Sequence, residues 1–136
     1  MKVENAVIPG MAQVQAFFGA PEDGPYVMVN LLKFRDKAAY EDGSEPELSG
    51  REAYARYGEG VSKLVAELGG RMLFGGDVTS LMIGEVEELW DMVALVEYPS
   101  LEAFRTMAMS PAMHAIEHHR KAGLAGQLNI RTKARG

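Results

Sequence analysis

Cysteine is absent from the 136-residue chain. Its absence removes disulfides, thiolate nucleophiles and every cysteine-based zinc, iron–sulfur or redox motif, and it fits a reducing compartment. Positive charge is scarce: 14 basic side chains stand against 19 acidic ones, a net charge of −5. That balance disfavours the counterion-displacing contacts on which non-specific nucleic-acid binding rests. Long apolar runs are missing too. The longest, Met92 to Val96, falls far below the roughly 20 residues of a membrane span. Glu4, Asn5, Pro9 and Gln13 interrupt the stretch Met1 to Ala20, which therefore does not read as a secretory signal. No phosphate loop, dinucleotide fingerprint or Ser-His-Asp order is present. These absences point to a cytoplasmic protein with neither nucleic acid nor membrane as partner, and the length suits a single core.

What is present orders itself into alternating elements. Residues 1–25 read as an N-terminal helical extension, with Met11, Val14, Phe17 and Phe18 at helical spacing and Gly19 as the stop. Residues 26–136 read as one domain. Its first strand is Tyr26 to Phe34, after the breakers Pro21, Gly24 and Pro25. Arg35 to Leu48 lacks an apolar period and is expected to be a long loop, either a functional lid or disordered. Ser49-Gly50-Arg51-Glu52 has the pattern of a capping box, and Tyr54, Tyr57, Val61, Leu64, Val65 and Leu68 then mark one face of a helix that Gly69-Gly70 ends. Arg71 to Phe74 and Val78 to Ile83 read as strand joined across Gly75-Gly76-Asp77, and Leu89 to Tyr98 as the third strand. Ser100 and Ser110-Pro111 open two short helices in tandem, closed by Gly123, and Gln127 to Thr132 alternates as an edge strand.

Strand, helix, strand, strand, helix, strand is the α+β ferredoxin-like order βαββαβ, an antiparallel sheet with helices on one face. The first and third strands are nevertheless apolar at both parities: Val27, Val29 and Leu31 oppose Met28, Leu32 and Phe34, and Val93 and Leu95 oppose Trp90, Met92, Ala94 and Val96. A sheet face open to water should alternate with polar residues. Something is therefore expected to cover the second face, either a second copy of the chain in a homodimer or the N-terminal helix.

Tyr26-Val27-Met28-Val29-Asn30, Gly69-Gly70-Arg71, Gly75-Gly76, Val96-Glu97-Tyr98-Pro99-Ser100-Leu101-Glu102-Ala103 and Ser110-Pro111 together resemble the domain-of-unknown-function 1330 family, over about Tyr26 to Lys133. The resemblance implies a bacterial, ferredoxin-like subunit of the dimeric α/β barrel group, without an assigned activity. The chain departs from it in the N-terminal segment and the acidic loop Asp36 to Leu48.

Several side chains could carry chemistry. Asn30, an amide inside an apolar strand, needs partners, either a ligand or a neighbouring backbone, because an unpaired buried amide costs about 1–3 kcal/mol. Trp90 could stack on a flat ligand and Asp91 act as base, or the two could be an ordinary edge aromatic beside a solvated acid. Lys33 and Arg35, with Tyr54 or Tyr57, could form an anion-binding mouth. One of His119 and Arg120 should face inward, because Met113 and Ile116 define the buried side of that helix; a guanidinium there could receive a carboxylate and a histidine could shuttle protons. The alternative is a solvated basic face at the helix C-terminus. His114 and His118, four apart, are weak candidates for a metal pair with no third ligand in view. No metal or other cofactor is expected. Two functions fit: a small-organic-molecule binding protein or cofactor-independent monooxygenase or isomerase, with its pocket at the sheet, or a non-enzymatic dimeric interaction module.

Overall fold

Strand β1 (Tyr26–Phe34) lies inside the sheet, between β3 (Met92–Tyr98) and β4 (Leu124–Thr132), with β2 (Arg71–Asp77) beyond β3. Every pairing is antiparallel, and the order β2-β3-β1-β4 makes this the expected ferredoxin-like sheet. The computed structural model describes residues 3–21 and 24–135; Met1, Lys2, Glu22, Asp23 and Gly136, which the readings of the leader and of residues 1–25 and 26–136 include, lie outside the described residues. Helices α1 (Met11–Phe18), α2 (Gly50–Glu67), α3 (Leu101–Ala108) and α4 (Pro111–Gly123) complete the fold. None of these helices is long and apolar enough to cross a membrane.

The helix ends follow the local chemistry read from sequence. Ser49 Oγ accepts the Glu52 N–H at 3.0 Å while Glu52 Oε1 accepts the Ser49 N–H at 3.1 Å, closing the capping box. Ser100 and Ser110 cap α3 and α4 by accepting the N–H groups of Ala103 and Met113. Past the end of α2, Gly69 takes the left-handed φ of +82°. Gly50 and Gly123 sit where α2 and α4 converge, and a Cβ on Gly50 would collide with the carbonyl oxygens of Arg35 and Gly123.

Tyr26, Met28, Val96 and Tyr98 from the sheet, Val61 and Val65 from α2, Met107 from α3 and Met113 from α4 form the core. Helix α1 joins this same side: the Phe17 ring lies 6.2 Å from Tyr26 and 5.3 Å from Phe104 of α3. It therefore does not cover the opposite face, where Val27, Val29, Leu31, Val93, Leu95 and Leu128 remain half-buried and Ile130 and Phe74 exposed.

Three strands differ in their bounds from the sequence reading. Strand β2 runs through Gly75 and Gly76 to Asp77, with an irregularity at Leu73, and Val78 to Ile83 is loop instead of strand. Asp77 pairs with Met92, the first residue of β3, and past it a single backbone bond, from the Val78 N–H to Asp91 O at 2.9 Å, is all that continues the pairing. Gly76 also leaves room for the Phe74 ring, which a Cβ would meet at 2.6 Å. Trp90 and Asp91 accordingly precede β3 instead of opening it. Strand β4 starts at Leu124 because that residue still pairs with Phe34, so α4 passes directly into it.

The loop 35–48 is packed. Ala38 N–H donates to Leu48 O, Ala39 N–H donates to Ala122 O at 2.9 Å, and Ala38 is buried against Ala53 and Ala122.

Candidate functional site between sheet and helices

Asn30 occupies the middle of β1 on the helix-facing side, in register with Ala94 and Asn129. Its Nδ2 donates to the Ala94 carbonyl at 3.3 Å, and its Oδ1 accepts from Gln127 Nε2 at 2.9 Å. Gln127 Oε1 accepts from Arg120 Nη1 at 2.9 Å, and Arg120 Nε donates to Glu117 Oε1 at 2.7 Å. A continuous polar relay thus runs from the central strand through the edge strand to α4, where Glu117 and Arg120 share a face because they are three residues apart. The Arg120 side chain is 13% exposed and that of Glu117 28%, so the ion pair lies largely out of water.

This relay leaves chemistry unused. A guanidinium carries five N–H donors. The second Nη1–H and both Nη2–H groups of Arg120 have no partner among the described residues, and neither does Glu117 Oε2. Tyr54 and Tyr57 of α2 lie close to this pair, their rings 5.5 Å apart and Tyr57 packed against the core. Burial pushes the Tyr54 phenol up to about 12, with Arg120 pulling it down and Glu117 pushing it up. Burial likewise raises Tyr57, reinforced by Tyr54 and Glu117. Neither phenol hydrogen-bonds another described residue. The two phenols thus lie near enough to the Arg120–Glu117 pair for its charges to act on them.

Lys33, Trp90 and Asp91 gather elsewhere. Lys33 points to the other face, where its ammonium donates to Leu89 O at 2.9 Å and lies 3.1 Å from Glu88 and 3.5 Å from Asp91. The Glu88 hydrogen bond raises its pKa against the opposing effect of burial. Asp91 Oδ2 accepts the Phe34 N–H at 2.8 Å. Trp90, Lys33, Val3 and Asn5 line a cleft of about 70 Å³. Ligand pockets hold roughly 300–1,000 Å³, so this cluster reads as a tie between the loop 78–91 and the end of β1.

His119 lies beyond the relay, against the loop 35–48. Its Nδ1 is 2.7 Å from Tyr40 Oη, its ring is 3.9 Å from that of His118, and Arg56 Nη1 donates to Tyr40 at 3.4 Å while holding Glu45 at 2.6 and 2.8 Å. Burial, then His118 and Arg56, hold the His119 imidazole below its usual pKa. Arg120, by contrast, is the residue that reaches the sheet. His118 stacks on His119 and is exposed, as is His114, and no metal-ligating group of three converges among the described residues.

Of the residues named from sequence, the structure thus links Asn30 to Arg120 through Gln127, sets Tyr57 in the core near Arg120, and places Lys33, Trp90 and Asp91 in a second group and His119 in a third. Glu117 and Gln127 were not among the candidates. The i, i+3 acid–base spacing of Glu117 and Arg120 was a usable signal; Gln127 was read only as a polar position of an edge strand.

Known proteins share the fold and the family of this chain. A protein of unknown function from Rhodopseudomonas palustris is 35% identical over 98% of this chain and 99% of its own, with a TM-score of 0.86. A crystal structure of the same protein in methylated form is 36% identical over 97% of this chain and 96% of its own, with a TM-score of 0.87. A Dabb-family protein with a ferredoxin-like fold from Mesorhizobium loti shares 13% identity over 84% of this chain and all of its own at a TM-score of 0.52, a likeness of fold alone. No curated protein matches. The model of the family described as Domain of unknown function (DUF1330) matches residues 43–132, a span that starts later than the resemblance read from sequence. The chain belongs to the DUF1330 family.

Proposed function

We propose that the protein is a homodimer that binds a small organic molecule between its sheet and its helices, working in the cytoplasm as the absence of cysteine suggests. The observation that carries this reading is Arg120. A guanidinium held in place by Glu117 and Gln127, largely out of water, with three N–H groups left over, is a preorganised donor for a ligand oxygen. Asn30 anchors the relay to the central strand, and Tyr54 and Tyr57 lie nearby with hydroxyls that bond no other described residue. The test is a fragment screen by NMR with the Arg120 Nε–H resonance as reporter. Saturable shifts confined to Arg120, Gln127, Tyr54 and Tyr57 support the site; fragments that bind only elsewhere refute it.

The homodimer rests on the face that α1 leaves open. Val29, Leu31, Val93, Leu95, Leu128 and Ile130 form one apolar surface, and a second copy of the same surface is the simplest cover. A ferredoxin-like neighbour from Bacteroides fragilis, 14% identical with a TM-score of 0.51, is described as dimeric, and two sheets joined face to face would give the dimeric α/β barrel. Sedimentation velocity decides: a species of twice the chain mass supports the reading, and a monomer at micromolar concentration overturns it.

A further inference from the structure

The charge at the site is already balanced. Glu117 neutralises Arg120 at 2.7 Å, so a ligand carboxylate arriving at the free N–H groups would meet a second carboxylate across a partly desolvated space, where like charges repel strongly. A neutral oxygen acceptor meets no such penalty. The same pair also offers something that binding alone does not require: Glu117 Oε2, an acceptor with no partner among the described residues, beside the donors that would hold the ligand oxygen.

Resting on the ligand-site reading above, we infer that the site takes a neutral carbonyl compound bearing an acidic C–H next to the carbonyl, and moves that proton. The carbonyl oxygen accepts from Arg120 Nη–H groups and from the Tyr54 or Tyr57 hydroxyl. Glu117 Oε2 takes the proton; the C–H bond breaks, its electron pair forms the C=C bond, and the carbonyl oxygen becomes an enolate oxygen. Glu117, now protonated, returns the proton either to the same carbon, which is exchange, or to the far end of a conjugated system, which is isomerisation. No oxidant, reductant or metal enters the balance. The total charge of the site stays constant, because the negative charge passes from Glu117 to an enolate oxygen that Arg120 also contacts. Donors already aimed at the oxygen where charge develops are the arrangement that lowers such a barrier.

The experiment follows deuterium incorporation at the α-carbons of 2-indanone in D₂O by NMR, with binding read from the same spectra and benzoate as the anionic control. Wild-type protein is expected to bind 2-indanone, not benzoate, and to accelerate exchange saturably by about 100-fold, the low end of general-base catalysis. Glu117→Gln should return exchange to the protein-free rate with affinity within about threefold, while Tyr54→Phe keeps the base and loses part of the acceleration. Binding at Arg120 without acceleration overturns the proton-transfer inference and leaves the ligand site standing. Preferential binding of benzoate there overturns the charge-balance argument. Binding of neither probe counts against both readings.

Discussion

Arg120 and Gln127 are joined at 2.9 Å, side chain to side chain, across the junction where α4 turns directly into β4. With no loop between the two elements, seven residues of chain bring a helix-face guanidinium over a strand amide, and Gln127 passes the contact on to Asn30. The position of the site is thus a consequence of the shortest connection in the fold.

Removing Arg120 should destabilise the protein, because Glu117 would be left largely buried without its partner and Gln127 Oε1 without its donor. Arg120→Ala is expected to cost about 2 kcal/mol in urea unfolding, below the usual figure for a fully buried pair because both side chains keep some solvent contact. The double variant with Glu117→Ala should recover part of that loss. Simple addition of the two single effects would show that the pair is not coupled.

The start of α2 gives two graded expectations. Ser49→Ala removes the cap accepted from Glu52 and should cost about 1 kcal/mol. Gly50→Ala should cost more, since its Cβ would strike backbone oxygens of Arg35 and Gly123 that cannot retreat as a side chain could. Equal midpoints for Gly50→Ala and wild type would show that α2 and α4 are not in close backbone contact.

How far the sequence revealed all this follows from the residues themselves. Period and caps place α2, α3 and α4 because Ser49, Ser100 and Ser110 mark their starts chemically, and the apolar parity of β1 and β3 exposes the second face. Val78 to Ile83 misleads because its apolar residues suit a strand while the pairing with β3 gives out after Val78, a fact held in the register of β3. The site is legible only in part. Asn30 stands out as a polar group where an apolar one is expected, the choice between His119 and Arg120 stays open until α4 is laid on the sheet, and Gln127 becomes meaningful only once β4 is laid beside β1. Lys33 and Asp91 look equally promising until their partners, Glu88, Leu89 and the Phe34 amide, are seen to satisfy them.

Acid should loosen the contact between α4 and the loop 35–48. Burial, His118 and Arg56 depress the His119 pKa in the folded state, so the unfolded chain binds the proton more readily. The corresponding stability is fully present above about 6.5 and is lost as pH falls from there through the folded-state value. Urea midpoints measured between neutral pH and mildly acidic pH should fall for wild type and fall less for His119→Gln. Parallel slopes would show that His119 does not drive the change.

Leu95 sits opposite Val29 on the open face, so Leu95→Asp should place a charge in the proposed dimer interface without touching the helix-side core. Sedimentation should show a folded monomer with unchanged circular dichroism. A persistent dimer would move the interface to another surface.

Native mass spectrometry of protein purified without added ligand, compared with Arg120→Met, tests most directly the claim that a homodimer holds a small molecule at Arg120. The wild type is expected at twice the 14.8 kDa chain mass plus a discrete small-molecule increment, and Arg120→Met as a dimer without the increment. A bare wild-type monomer, or an increment that Arg120→Met retains in full, would contradict it.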